Sequence, residues 1–346
     1  MGGDHGPPVA VAGIAWDLAT WKASGVRFLL HGDKAKIEAE LARTPGVAAL
    51  CEIQHTDLVI SSDEKPAQAM RRGKGSSMWN AVETIREGRA QAAVSAGNTG
   101  ALMAVGLLIL RMMADLERPA LVAAWPSAKG VKTVLDVGAN IDCDAQRLVE
   151  FAIVGEAFHR AVHGAAKPSV GLLNVGSEEQ KGHDEVREAH RILREGNFDL
   201  NYYGFVEGDD ITKGTVDVVV TDGFTGNVAL KATEGAARFI LNELRAALKS
   251  SPLAWLGAFL AQAGLRQLRR RLDPPDGAPL LGLNGIVVKC HGSAEAKGFA
   301  SAIRVAVNLA QSQYATDIER NLEHLTKALA DQGAAKANNG APEKIG

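Results

Sequence analysis

The stretch VDVVVTDGFTGNVALKATEG, residues 216–235, constrains the fold most, because it joins a buried strand, a polar turn and the opening of a helix without interruption. Val216, Val218, Val219 and Val220 form a β-branched run broken only by Asp217, the pattern of a strand covered on both faces in a parallel sheet. Asp222, Gly223, Thr225, Gly226 and Asn227 follow at once, and residues 228–239 place apolar side chains at helical spacing. Such a turn presents backbone N–H groups and a helix N-terminus at the carboxyl edge of the sheet, where phosphates and other anions bind.

The same unit recurs along the chain. Residues 92–95 end in Gly97-Asn98-Thr99-Gly100 before an apolar helix over 101–113, and residues 133–137 end in Gly138-Ala139-Asn140 before a helix over 144–158. Residues 170–175 end in Gly176-Ser177-Glu178-Glu179 with Lys181 just beyond, and residues 286–290 end in His291-Gly292-Ser293 before a helix over 295–309. Glycine lets the backbone approach a ligand closely, and asparagine and serine add short hydrogen-bonding arms. Five such turns at the carboxyl ends of strands in one parallel sheet would lie along a single edge and share one anionic ligand.

Residues 1–8, MGGDHGPP, are already a glycine-rich polar turn ahead of a helical stretch over 9–21. In a doubly wound fold a turn of this kind follows a strand, so the natural protein is expected to begin upstream with a short apolar β-rich run. The in-frame codons before Met1 test that. A strand over 26–30, a helix over 34–41, a weaker strand over 47–53 and a helix over 66–70 come next. The cationic turn Arg71-Arg72-Gly73-Lys74-Gly75-Ser76-Ser77 then introduces a helix over 78–86, with Ser76 or Ser77 as N-cap; it reads equally as a solvated loop or as an anion contact.

The texture changes over residues 252–272. Leu253, Trp255, Leu256, Phe259, Leu260, Leu265 and Leu268 supply apolar surface, Arg266, Arg269, Arg270 and Arg271 cluster at the carboxyl end, and Gly264 is expected to divide two short helices. Core or dimer interface is one reading; a helical tip lying on anionic lipid is the other. The expected organisation is one domain over 1–329 with this tip at about 250–273, followed by a disordered tail over 330–346 rich in Ala, Gly, Asn and Lys.

Composition removes other classes. A net charge of −2 argues against nucleic acid as a partner, and three dispersed cysteines without a C-x-x-C pair argue against a zinc ribbon or a disulfide framework. No apolar run reaches the ~18 residues of a spanning helix, so the chain is expected to be soluble or to sit on a membrane without crossing it. His159 and His163 stand at i, i+4 but lack the glutamate of H-E-x-x-H, so no metal is expected. G-x-S-x-G and G-x-G-x-x-G are absent, which leaves no signal for a serine nucleophile or a nicotinamide cofactor. A site for phosphate or a phosphorylated group remains, with Lys181 as its most prominent cation; a solvated surface lysine is the alternative.

The phrases MGGDH (1–5), SAGNTGAL (95–102), LDVGAN (135–140), GLLNVGSEEQKG (171–182), VVVTDGFTGNVALK (218–231) and KCHGSAEAKG (289–298) resemble the bacterial phosphate acyltransferases. Those enzymes make acyl phosphate from acyl-carrier-protein thioesters for phospholipid synthesis. The resemblance runs from residue 1 to about residue 325. It implies a three-layer α/β fold of the phosphotransacetylase and isocitrate/isopropylmalate dehydrogenase type, with a mostly parallel sheet and a protruding helical hairpin. It also implies a homodimer without cofactors, acyl carrier protein and inorganic phosphate as reactants, and a downstream glycerol-3-phosphate acyltransferase. The location implied is cytoplasmic, attached peripherally to the inner face of an anionic membrane. Two departures stand out: the strand that precedes MGGDH in relatives is lacking, and residues 253–272 keep an amphipathic character without an alignable motif.

For that reaction Ser95, Asn98 and Thr99 with Gly223, Thr225 and Asn227 are expected to cradle phosphate, joined by Gly97, Asn140, Ser177, Gly226, His291 and Ser293. Lys181 would stabilise developing negative charge, and Asp222 or His5 would manage a proton at the thiol. Membrane or carrier contact would fall to Leu253, Trp255, Leu256, Phe259, Leu260, Arg266, Arg269, Arg270 and Arg271, with Arg71 and Arg72 as further carrier contacts. The competing readings are acyl transfer between coenzyme A and phosphate, and a non-catalytic membrane-surface scaffold.

Overall fold

The protein, described from a computed structural model, is placed over residues 2–113, 116–196, 198–272, 277–323 and 325. The tail expected over 330–346 and the side chains of Arg269, Arg270 and Arg271 lie outside the described residues. The amino-terminal part forms α1 (Pro7–Trp16), α2 (Leu18–Ala23), β1 (Phe28–Gly32), α3 (Lys34–Arg43), β2 (Cys51–His55), α4 (Pro66–Arg72) and α5 (Ser77–Arg86). The helix expected over 9–21 is two helices, because Asp17 leaves the helical conformation at the end of α1. Ser76 caps α5, its hydroxyl accepting the Trp79 N–H at 3.3 Å.

The middle of the chain supplies β3 (Ala92–Ser95), α6 (Thr99–Leu110), β4 (Ala120–Ser127), β5 (Gly130–Leu135), α7 (Ala145–His163), β6 (Ser169–Leu173), α8 (Asp184–Glu195), β7 (Asn201–Val206), α9 (Gly208–Lys213) and β8 (Val218–Val220). The remainder is α10 (Gly223–Lys249), α11 (Pro252–Leu260), α12 (Gln262–Leu272), β9 (Ala278–Leu281), β10 (Ile286–Lys289) and α13 (Ala296–Gln311). Gly264 lies inside α12; the break between the two tip helices falls at Ala261, one turn earlier than glycine placement suggests.

Eight strands make one sheet in the order β3-β10-β9-β4-β5-β8-β6-β7, and β1 and β2 pair separately and in parallel. The triple-valine strand β8 sits inside the parallel group. Val218 and Val220 pack toward Phe151 and Leu148 of α7, while Val219 joins Trp125, Val134 and Ile211 on the other face, which makes three layers. Each valine is at most 1% exposed, and burying such a side chain contributes about 1.5–3 kcal/mol.

Strand direction overturns one expectation. β10 runs parallel to β3, and β5, β8, β6 and β7 run parallel to one another, but β9 is antiparallel to both β10 and β4, and β4 to β5. Three successive reversals turn the β5-β8-β6-β7 group against β3 and β10. The turns after β3 and β10 therefore lie at one edge of the sheet, and those after β5, β6 and β8 at the opposite edge. The cause is the β4–β5 hairpin together with β9: strands joined by a short turn need no crossover and must reverse. Their sequences, ALVAAWPS and APLL, carry alanine and proline where strands prefer β-branched residues, so the periodicity does not announce them.

His159, on α7, is 4% exposed with its Nδ1 2.8 Å from the Thr133 hydroxyl. Burial lowers its pKa from 6.5 to about 4, and burial does the same to His31. Between those values the unfolded chain binds protons that the native protein does not. Stability is therefore full above pH 6.5 and falls as the pH drops toward 4. Denaturation midpoints measured at about pH 7 and pH 5 are expected to fall at the lower value. His159→Gln should flatten part of that slope; an unchanged slope would remove His159 as a cause.

Candidate active site

The edge reached by β5, β6 and β8 is organised by a residue that periodicity did not single out. Asp136, fully buried just after β5, accepts the N–H groups of Leu121 at 2.9 Å, Gly138 at 3.3 Å, Ala139 at 3.1 Å and Asn140 at 2.6 Å, together with the Asn140 side-chain Nδ2 at 2.9 Å. Burial raises its pKa against the pull of these donors. The signal was present in LDVGAN, where a carboxylate ends an apolar run and has to find donors.

Helix α10 is seated on this loop. The Gly223 N–H donates to the Asn140 carbonyl at 2.7 Å, and the Asn227 amide donates to the Val137 carbonyl at 3.0 Å. Gly226 lies so close to the Asp136 carbonyl that a Cβ would collide with it, so only glycine admits the helix here. Asp222 caps the helix, accepting the Thr225 N–H at 2.8 Å. The amide of Asn140 is spent internally on Pro119 and Asp136, both at 2.9 Å, and Asn140 is only 2% exposed. Thr225 faces outward, and Asp222 is half-buried at the same turn.

Lys181 stands at this edge in the loop after β6. Its ammonium pairs with Glu178 at 2.8 Å, its carbonyl accepts the Asn174 amide at 3.0 Å, and its side chain lies against Gly176. The Glu178 carboxylate raises the Lys181 pKa above 10.5, so the ammonium is charged throughout the neutral range. Ser177 is exposed in the same loop. Cys143, beside the Asn140 carbonyl, has its thiol pushed up to about 12 by burial, so a thiolate nucleophile is not what this edge provides.

The opposite edge gathers a second set. Gly97 donates its N–H to the Ser95 hydroxyl at 3.2 Å, and Asn98 caps α6 by accepting the Ala101 N–H at 3.0 Å. The Asn98 side-chain Nδ2 donates to the carbonyls of Ser62 and Glu64, each at 2.9 Å, tying down residues 61–64. Thr99 opens α6, and α4, which carries Arg71 and Arg72, packs against that helix. His291 and Ser293 join through Nδ1 and the hydroxyl at 2.8 Å. The amino-terminal turn crosses both loops: Asp4 donates its N–H to the Gly292 carbonyl at 2.9 Å, and Gly3, at φ +74, passes too close to Ala96 for a side chain. His5 is exposed beside them. The residues expected to form one cradle thus divide into Asn140, Ser177, Lys181, Asp222, Gly223, Thr225, Gly226 and Asn227 at one edge, and His5, Ser95, Gly97, Asn98, Thr99, His291 and Ser293 at the other.

Beyond the site, α10 runs outward with only Gly223 and Gly226 buried. Its 27 residues span about 40 Å and lead to α11, which buries none of its residues. Leu253 (77% exposed), Trp255, Leu256, Phe259 and Leu260 form an apolar tip, with Trp255 and Phe259 stacked at 6.1 Å. Among the described residues no helix is long and apolar enough to cross a membrane.

The helix openings along the sheet edges, with a charged lysine beside one of them, sit on a three-layer α/β fold of the phosphotransacetylase-like class. A phosphotransacetylase from Streptococcus pyogenes superposes with a TM-score of 0.60 at 18% identity, covering 90% of this chain and 93% of that structure. A branched-chain phosphotransacylase from Enterococcus faecalis gives 0.52 at 13%, covering 83% and 99%. In sequence, the family model described as "Fatty acid synthesis protein" matches residues 1–317. A phosphate acyltransferase of Caulobacter vibrioides is 66% identical over 342 residues, 98% of this chain and 94% of that protein. Another, from Phenylobacterium zucineum, is 66% identical over 341 residues, covering 99% and 97%. The chain belongs to this phosphate acyltransferase family and is an acyltransferase.

Proposed function

We propose that the chain transfers a fatty acyl group from an acyl-carrier-protein thioester to inorganic phosphate, releasing acyl phosphate for acylation of glycerol 3-phosphate in phospholipid synthesis. The observation that carries this reading is 66% identity to phosphate acyltransferases across nearly the whole chain. A phosphate oxygen attacks the thioester carbonyl, the carbonyl becomes an oxyanion, and the C–S bond breaks to release the carrier's thiolate. Phosphate is already anionic and an alkyl thiol has a pKa near ~8.5, so positioning and charge stabilisation outweigh strong acid or base catalysis.

The β5-β8-β6 edge is the better place for this chemistry, because it combines the opening of α10, the outward Thr225 and Ser177, and the only lysine among the residues expected in the site. There the outward Thr225 hydroxyl is offered to phosphate beside the opening of α10, which Gly223, Gly226, Asn140 and Asn227 hold against the Asp136 loop. Lys181 faces the oxyanion, and Asp222 rather than His5 shares the edge for the thiol proton. Ser95→Ala and His291→Ala, at the opposite edge, are expected to change turnover by less than about threefold, against a much larger loss at Lys181. Incubating the purified chain with phosphate and acyl-carrier-protein thioester, then trapping with hydroxylamine, should yield hydroxamate. Phosphate-dependent thiol release from acyl-coenzyme A alone would support the alternative donor instead.

The apolar tip suits peripheral attachment to an anionic membrane at the inner face of the cell membrane, with Arg266 beside it and the carrier drawn to the same basic surface or to Arg71 and Arg72. Phe239 and Ile240, 65% and 62% exposed on α10, suit contact with a second copy of the chain. Trp255→Ala combined with Phe259→Ala is expected to weaken sedimentation with phosphatidylglycerol vesicles at least about tenfold while acyl transfer in solution persists. Unchanged vesicle binding would remove the tip from membrane contact.

A further inference from the structure

The loop that carries Lys181 is held by side chains that flank it. After β6 ends at Leu173, the Asn174 N–H donates to the Val206 carbonyl of β7 at 2.8 Å, and its side-chain Nδ2 donates to the Lys181 carbonyl at 3.0 Å. The carbonyls on either side of Lys181 are engaged as well: Arg187 Nη1 donates to that of Gln180 at 3.3 Å and to that of Gly182 at 2.9 Å. Three consecutive carbonyls are therefore tied down by two side chains. Gly182 permits the close approach, since at φ +91 a Cβ would overlap the Asn174 Oδ1. An ion pair between Arg194 and Glu179 adds a further tie from α8 to the same loop.

α8, which supplies Arg187, is itself anchored. Ala189, Ile192 and Leu193 are buried in the core with Phe205, the His190 ring stacks on Phe205 at 4.4 Å, and His190 Nδ1 lies 2.7 Å from the Tyr202 hydroxyl. The Arg187 side chain runs back toward the start of the helix, where Nη2 pairs with Asp184. One guanidinium thus joins a core-packed helix to the peptide groups on both sides of the lysine, which its planar fork of donors allows. The consequence concerns where charge sits. Lys181 carries its ammonium on a long flexible stem, so the loop backbone has to set the point from which that stem starts. Oxyanion stabilisation depends on that placement, and a displacement of about 1 Å can cost about 10²-fold in rate.

We infer that Arg187 is a positioning residue for acyl transfer: with the Asn174 amide it fixes the backbone from which Lys181 presents its ammonium to the oxyanion. The inference rests on the role given to Lys181 above. Arg187→Met keeps much of the apolar stem and removes every donor. It is expected to lower kcat at least about tenfold, with the phosphate KM changed by less than about threefold. The thermal midpoint should move little, because the side chain is 40% exposed. The deciding measurement is the double variant: in the Lys181→Ala background the same Arg187→Met change should cost less than about twofold, since no ammonium is left to position. An equal loss of kcat in both backgrounds, a native kcat in the single variant, or a loss confined to KM would overturn the inference and leave Lys181 in the mechanism. Near-normal turnover of Lys181→Ala alone is the distinguishable other result, and it would remove Lys181 and Arg187 together.

Discussion

Lys181→Ala is expected to lower kcat by about 10²–10³-fold while the fold, judged by circular dichroism and thermal midpoint, is unchanged. Lys181 is 47% exposed and its partner Glu178 is 50% exposed, so solvent screens the pair and its loss should leave stability little changed. A large loss of turnover would therefore report on the transition state. Because Glu178 holds the lysine pKa above its ordinary value, the ammonium cannot serve as a base near neutrality and can act only through its charge. Lys181→Arg should recover part of the rate, since it keeps the charge but changes the geometry. Near-normal turnover of the alanine variant would return Lys181 to the status of a solvated surface residue.

The second large effect is expected at Asp136. Asp136→Ala strands four backbone N–H groups and the Asn140 amide in a buried loop, which should cost about 4 kcal/mol of stability. The loop carries Asn140 and Val137, the two acceptors that seat α10, so turnover should fall together with stability. Asp136→Asn retains one carbonyl oxygen and is expected to lie between the alanine variant and the native protein. The readout is denaturant unfolding beside initial rates at low temperature, where the variant remains folded. Full activity with an unchanged unfolding midpoint would show that the loop does not depend on its carboxylate.

Legibility differed between elements for physical reasons. β8 was plain because three adjacent valines can be accommodated only where both faces are covered, and the cap at Ser76 was plain because a serine there answers the unsatisfied N–H groups of a helix start; that Asn98 and Asp222, expected to serve phosphate and a proton, also cap their helices emerged only from the structure. The strand-to-helix turns were legible as turns. Their common placement was not, because β4 and β9 carry weak strand signals, and it is these strands that reverse direction in the middle of the sheet. Asp136 went unweighed because an aspartate in sequence does not reveal that five donors surround it.

By itself the sequence determined the α/β class, the series of glycine-bearing turns, the amphipathic tip and the family, because all of these rest on local residue order and on the spacing of apolar side chains. Only the tertiary structure decided which turns share an edge and which amides are already engaged. Those depend on strand pairing between residues far apart in the chain, and on the hydrogen bonds that become obligatory once water is excluded.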